Sequence, residues 1–419
     1  MISQTWNVLA FKRNSLSRLF NPFMGPVSGR GEHSRPGWAR SLARAGVRTG
    51  AMFALLALSA VAQGIGQTAG SRIDQADSNA NPSQESVTVP PADPDREAWQ
   101  MTMLNIPRPQ ETCSTATYPE QQWREVPCEA PPDRPVTLRD GVRPDIVGGG
   151  GPGSDLLLAT TNGAIAEGEG SFDKVTGVTS ETGNRVRNSF SLQLNTNIFQ
   201  TKSCGSAKDC YGWVQFVYDS FAHTAFVQYW LLFYGDSCPA GWTSDGGNDG
   251  SCFRNSHAVS TPAVTIAELQ QTKLYGYIGG YFGNPGDDLV TLQIGDKFYT
   301  EASGDPIQGA VKGWSQMEFN VFGDGGGLEA VFNPGSTIQV RESMILGTGT
   351  EFECSGFGST GETNSLTLSA KTPLVAAVGP PSLVFIESNV KGTQPGSCAN
   401  AALIGEPHRI WPPFIADEH

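Results

Sequence analysis

The chain has 419 residues, with 28 Lys+Arg against 41 Asp+Glu, a formal net charge of −13 and only 16% charged residues. That balance argues against a nucleic-acid partner, which would call for a basic stripe. With 50 glycines and 28 prolines, the composition points to a turn-rich all-β protein rather than a helical one.

The first 48 residues carry eight Lys or Arg and one acid, Glu32. Ala51 to Ala62, AMFALLALSAVA, then forms a short apolar run ending in Ala60-Val61-Ala62. A basic lead, an apolar run and a small-residue site are the parts of a secretory signal. The basic lead is long, which allows a true start downstream, for example at Met24. A membrane span needs about 20 apolar residues, so cleavage near Ala62 is expected, with no stable membrane span. The expected destination is extracellular, or periplasmic where there is an outer membrane.

Residues 63–150 are rich in Pro, Asp, Gln, Ser and Glu and end in the run Gly148 to Gly151. They read as a disordered linker or propeptide, with a small ordered patch near Trp123. All eight cysteines lie after the signal-like segment. An even count in an exported chain predicts disulfides, with 105 possible connectivities. Pairing by sequence neighbours gives Cys113–Cys128, Cys204–Cys210, Cys238–Cys252 and Cys354–Cys398. There is no C-x-x-C, and the histidines at 33, 223, 257, 408 and 419 show no ligand spacing, so no metal or other cofactor is expected.

From 151 to 390 the chain turns to short alternating runs broken by turn residues. Strands are predicted at 155–160, 189–194, 213–219, 224–233, 273–281, 289–294, 297–300, 317–322, 330–332, 337–342, 365–370 and 383–387. Asn-Pro-Gly turns stand at Asn284–Gly286 and Asn333–Gly335. The only helical turn predicted is Thr265–Thr272. These elements predict one disulfide-stapled antiparallel β-sandwich, with residues 391–419 as a tail over it.

Two segments carry candidate chemistry. In GWVQFVYD, from Gly212, the side chains of Trp213, Gln215, Val217 and Asp219 share one face and Val214, Phe216 and Tyr218 the other. In SQMEFNVFGD, from Ser315, Met317, Phe319 and Val321 alternate with Gln316, Glu318 and Asn320. A carboxyl group framed by aromatics suits general acid/base work, and an amide beside it suits an oxyanion. The loop Gly323 to Gly327 lacks the lysine and helix of a phosphate cradle and reads as a turn or bulge. His223 with Asp219 has no nucleophile elbow beside it.

The order of these segments resembles the glutamic peptidases of the eqolisin type, across about 150 residues. In that family a strand Gln is followed by an aromatic strand and later by a strand bearing a catalytic Glu. Gly212–Asp219 matches the first, Thr224–Tyr234 the second and Ser315–Asp324 the third. The resemblance implies a concanavalin-like (lectin-like jelly-roll) sandwich, a secreted acid endopeptidase, and a peptide or protein substrate. It implies Glu318 as base and Gln215 as oxyanion stabiliser, with Gln228 the competing glutamine. Gln228, Trp230, Tyr229, Trp213 and Asp324 are then the substrate-binding candidates, and the aromatics have core packing as their other reading. The alternative function is a non-catalytic exported sandwich that binds carbohydrate or cell-surface material. A monomer is expected.

Overall fold

Strands whose side chains alternate between apolar and polar pair into two large antiparallel sheets with one apolar core between them in the computed structural model. The structure describes residues 94–109, 112–135, 156–183, 186–247, 249–279, 287–307, 309–324, 329–357, 364–375 and 379–405. All of them fall within one compact unit.

Helix α1 (Pro94–Asn105) leads into β1 (Cys113–Thr117) and β2 (Arg124–Val126). Next come β3 (Leu156–Thr160), the long β4 (Ile165–Thr176), and the short β5 (Glu181–Gly183) and β6 (Val186–Arg187). β7 (Phe190–Thr196), β8 (Tyr211–Asp219), β9 (Thr224–Leu232), β10 (Thr243–Ser244) and β11 (Cys252–Ser260) follow. β12 (Thr272–Tyr277), β13 (Asp287–Ile294) and β14 (Lys297–Gly304) precede a one-turn helix, α2 (Ala310–Gly313). The order closes with β15 (Gln316–Gly323), β16 (Val331–Phe332), β17 (Thr337–Gly347), β18 (Phe352–Phe357), β19 (Thr367–Leu368), β20 (Ser382–Ser388) and β21 (Ala402–Ile404).

The front sheet runs β10-β11-β9-β8-β7-β15-β3-β18, and the back sheet β19-β20-β17-β4-β12-β13-β14-β1-β2, with β21 also on β20. A small third sheet holds β16-β5-β6. The front sheet turns Leu192, Leu194, Val214, Phe216, Tyr218, Met317 and Phe319 inward, onto Leu274, Leu292, Ile338, Val340 and Phe385 of the back sheet.

β4 is the longest strand and was not among the predicted ones, because IAEGEGSFDKVT carries glycines and charges that read as turn. Those glycines are packing devices. A Cβ on Gly170 would lie 2.0 Å from the Phe319 ring, and one on Gly276 of β12 would lie 2.1 Å from the Phe216 ring. The middle of the back sheet is therefore bare backbone on its inner face, and front-sheet rings rest on it. β11 and β18 also escaped the pattern.

The linker reading of 63–150 is corrected where the structure describes it. α1 buries Trp99, Met103 and Leu104 in a cluster with Trp123 and Phe298. β1 extends the back sheet beside β14, from Cys113 opposite Glu301 to Thr117 opposite Lys297. A polar average composition hid two tryptophans and a disulfide that concentrate burial in one place. In the tail, β21 pairs with β20. Pro334 and Gly335 do turn the chain between β16 and β17, with Gly335 at φ 86°. The predicted helical turn is a 3₁₀ segment, Ile266–Gln271, closed by a capping box from Thr265 and Glu268. The signal-like segment, residues 63–93, Gly148–Gly151, Asn284–Gly286, Gly325–Gly327 and the end of the tail from 406 lie outside the described residues.

All four disulfides join the neighbours in sequence: Cys113–Cys128, Cys204–Cys210, Cys238–Cys252 and Cys354–Cys398. Such bonds are compatible with an extracellular protein. Among the described residues no helix is long and apolar enough to cross a membrane.

Several carboxyl groups are buried in this frame. Glu301, facing the interior from β14, is pushed up to about 8, first by burial and then by Asp287, with the nearby Ser256 and Ser303 hydroxyls opposing. Glu167 on β4 is pushed up to about 7 by burial, with Arg108 opposing and Glu169 adding. In the unfolded chain such groups release their proton near 4.5. The folded state holds the proton longer, so these groups stabilise the fold fully below that pH and lose the contribution as pH rises towards 8. The melting temperature should therefore fall between pH 4.5 and 8, followed by calorimetry. Glu301→Gln, which stays neutral, should flatten the fall by at least about 2 °C; a profile unchanged in the variant would contradict this.

Candidate functional site

Side chains that do not enter the core project from the opposite face of the front sheet, and there the registers bring polar groups into line. Asn255 stands opposite Gln228, Gln228 opposite Gln215, Gln215 opposite Asn195 and Asn195 opposite Glu318. Four amides and one carboxyl thus form an unbroken row across β11, β9, β8, β7 and β15. Gln228, Gln215, Asn195 and Glu318 are all buried. Gln215 and Glu318 have only β7 between them, which places their Cα atoms about 10 Å apart.

Hydrogen bonds fix the orientation of the row. The indole N–H of Trp230 can only donate, and it donates to Gln215 Oε1 at 2.7 Å. That directs the Gln215 amide nitrogen the other way, where it donates to Gln193 Oε1 at 2.9 Å. Gln193 Oε1 also accepts from Asn195 Nδ2 at 3.4 Å, and the same nitrogen donates to Glu318 Oε2 at 3.3 Å. Asn195 Oδ1 is buried and accepts no hydrogen bond among the described residues. The middle of the row therefore offers one acceptor oxygen, with the Gln215 amide on one side and the Glu318 carboxyl on the other.

Behind Glu318 the back sheet clamps the strand. Glu342 of β17 reaches through the core, where its Oε1 accepts from Phe319 N at 2.8 Å and its Oε2 from Leu158 N at 2.8 Å. These amides flank Glu318 and its partner Leu157. Farther along, Asn320 Nδ2 donates to Glu387 Oε1 at 2.9 Å. Two back-sheet carboxyls thus hold β15, and with it the Glu318 backbone.

An aromatic row lies two residues along the strands from the polar one. Trp213 pairs with Trp230 and Trp230 with Phe253, with ring centroids 6.0 and 5.7 Å apart. Trp213 Nε1 donates to the Thr196 carbonyl at 2.8 Å. These rings are buried.

At the other end of β8, Asp219 and Asp324 converge on Arg134. The guanidinium donates to Asp219 Oδ2 at 2.6 Å and to the Asp324 backbone carbonyl at 2.6 Å, and it pairs with the Asp324 carboxylate. Burial alone would lower the Arg134 pKa, and Asp324 and Asp219 outweigh it, holding it above the usual arginine value. Glu181, whose charge would add to that of Asp324, is pushed up to about 8, chiefly by burial.

The sequence-predicted residues thus divide. Glu318, Gln215, Gln228, Trp230 and Trp213 share the outer face of the front sheet. Tyr229 does not: it points into the core, with its hydroxyl 3.4 Å from Ser303 Oγ. Period two puts it opposite Gln228 and Trp230, so it takes the core role of the two readings and cannot touch a ligand on that face. Asp324 lies beyond the end of β15, in the Arg134 cluster. Asn195, Gln193, Asn255 and Arg134 were missed. The alternation of Phe190 to Thr196, with Ser191, Gln193 and Asn195 against Leu192 and Leu194, carried the signal for the first two.

No protein-family model, curated protein sequence or solved structure matches the chain. Among the described residues no group of three or more His, Cys, Asp or Glu side chains is placed to hold a metal ion.

The Trp230 hydrogen bond makes a checkable claim. Trp230→Phe keeps most of the packing and leaves the buried Gln215 oxygen without its donor. It should cost about 1–3 kcal/mol in denaturant unfolding, whereas a loss below about 0.5 kcal/mol would show that the indole does not orient Gln215.

Proposed function

We propose that the chain is a secreted acid endopeptidase in which Glu318 acts as general base and acid and Gln215 stabilises the oxyanion, as its resemblance to the glutamic peptidases implies. The observation that carries the reading is the register Gln215–Asn195–Glu318: an amide donor and a carboxyl on one face, one strand apart, over an acceptor oxygen.

The chemistry follows from these groups. A water above Asn195 donates one hydrogen bond to Asn195 Oδ1 and one to the Glu318 carboxylate. Glu318 takes a proton from it as its oxygen adds to the scissile carbonyl carbon. The carbonyl oxygen becomes an oxyanion and accepts from the second N–H of the Gln215 amide, whose nitrogen is turned away from the Trp230 indole and already donates to Gln193 Oε1. The carbon–nitrogen bond then breaks, and Glu318 returns the proton to the leaving amine. The products are a carboxylic acid and an amine, and Glu318 ends as it began. Burial of the row keeps bulk water from screening these contacts.

Export is part of the proposal, supported by the four disulfides and the signal-like segment at 51–62. A carbohydrate platform has less support, because Trp213 and Trp230 pack their rings against each other and against Phe253.

The test is digestion of a denatured protein by the purified chain from pH 3 to 7, with cleavages read by mass spectrometry. Wild type should cleave at acid pH and Glu318→Gln should not. Gln215→Ala should lose roughly 100-fold or more in kcat, the usual cost of one oxyanion donor. Cleavage that survives Glu318→Gln, or none by wild type at any pH, contradicts the reading.

A further inference from the structure

From the edge of the front sheet, residues 132–134 cross onto its outer face. Glu129 bridges to Ala258 of β11. Asn255 Nδ2 then donates to the Pro132 carbonyl at 3.0 Å, and Gln228 Nε2 donates to the Arg134 carbonyl at 3.4 Å. Asn255 and Gln228 are the first two members of the polar row. The segment bends at Asp133 and Arg134 and presents the carbonyls of Pro132 and Arg134 to successive amides leading towards Gln215. Between them the exposed Asp133 points away.

The Arg134 side chain leaves this path for two carboxylates that other groups also hold. Asp219 Oδ1 is held by the backbone amides of Phe221 and Ala222 at 2.9 Å each, which leaves Oδ2 for the guanidinium. Asp324 accepts the Ser189 hydroxyl on one oxygen and turns the other, with its backbone carbonyl, to Arg134. Asp219 is 4% exposed in its side chain and Asp324 11%. Two nearly buried carboxylates with fixed orientation match the planar fork of a guanidinium better than a point charge.

We infer that this face is a peptide-binding groove whose Asp219–Asp324 seat selects a basic side chain, arginine above all, and that residues 132–134 occupy it as the chain's own pseudosubstrate. The inference rests on the proposed function only in taking the polar face as the substrate face; it concerns binding and requires no cleavage. It names the substrate class: peptides that take the bend of residues 132–134 and carry an arginine two residues beyond a carbonyl held by Asn255. Displacing the segment uncovers the seat, and a basic peptide of the same shape replaces it.

The test uses the full-length chain and two synthetic peptides, Glu-Ala-Pro-Pro-Asp-Arg-Pro and its arginine-to-alanine counterpart. Titration is followed by calorimetry. Arg134→Ala, with its seat vacated, should bind the arginine peptide at least tenfold more tightly than the alanine peptide. In the additional presence of Asp219→Asn and Asp324→Asn the preference should vanish. Equal affinity for the two peptides in Arg134→Ala would overturn the inference. Amide exchange on wild type gives a second reading that needs no folded variant. The arginine peptide in excess should speed exchange across 129–135 while the alanine peptide does not, and no difference between them would also overturn it. Both readings are of binding, so a dead Glu318 leaves them intact, and a failed seat leaves the cleavage assay standing.

Discussion

A polar group taken out of water must find a hydrogen-bond partner in the protein, at a cost of about 1–3 kcal/mol where it does not. That constraint organises the front sheet, because both of its faces are buried. The inner face meets it by being apolar. The outer face carries Gln193, Asn195, Gln215, Gln228 and Glu318 out of solvent, and each must be held by a neighbour. Gln215, Gln193, Asn195 and Glu318 form a connected chain whose orientation starts from one donor-only group, the Trp230 indole, while Gln228 donates to Asn255. A row so constrained is rigid, and rigidity is what a catalytic or binding constellation needs from its support.

The two sheets are specialised accordingly. The back sheet gives up side chains at Gly170 and Gly276 so that Phe319 and Phe216 can sit on its backbone. Those rings alternate with Glu318 and Gln215 along β15 and β8, so the depth to which they sink sets the position of the polar row. Glu342 adds a second anchor by receiving the amides of Phe319 and Leu158. Position is thus transmitted from the back sheet to the outer face of the front sheet by ring packing and by a buried carboxylate. The raised pKa values of Glu301 and Glu167 come from the same burial, and they bias the whole fold towards acid conditions.

Much of this was legible in the sequence where period two ran clean. GWVQFVYD and SQMEFNVF assigned the faces of β8 and β15 correctly, and the cysteine neighbours gave all four disulfides. What escaped did so for physical reasons. β4 was hidden because glycine in a strand looks like a turn until the ring that needs the space is known. α1 and β1 were hidden because a few apolar residues in a polar segment do not show what they pack against. Tyr229 went with its neighbours Gln228 and Trp230 as a binding residue, although one residue along a strand means the opposite face. Arg134 could not be found at all, since its significance lies in meeting Asp219 and Asp324, which are 85 and 190 residues away.

The central claim is that the row Gln215–Asn195–Glu318 holds and activates one water. The most direct measurement is a crystal structure of the wild-type chain at acid pH, at a resolution that shows ordered solvent. The account predicts a single water within about 2.6–3.2 Å of both the Gln215 amide nitrogen and a Glu318 carboxyl oxygen, above Asn195 Oδ1. A Glu318 carboxyl satisfied entirely by protein groups, with no water shared with Gln215, would contradict it.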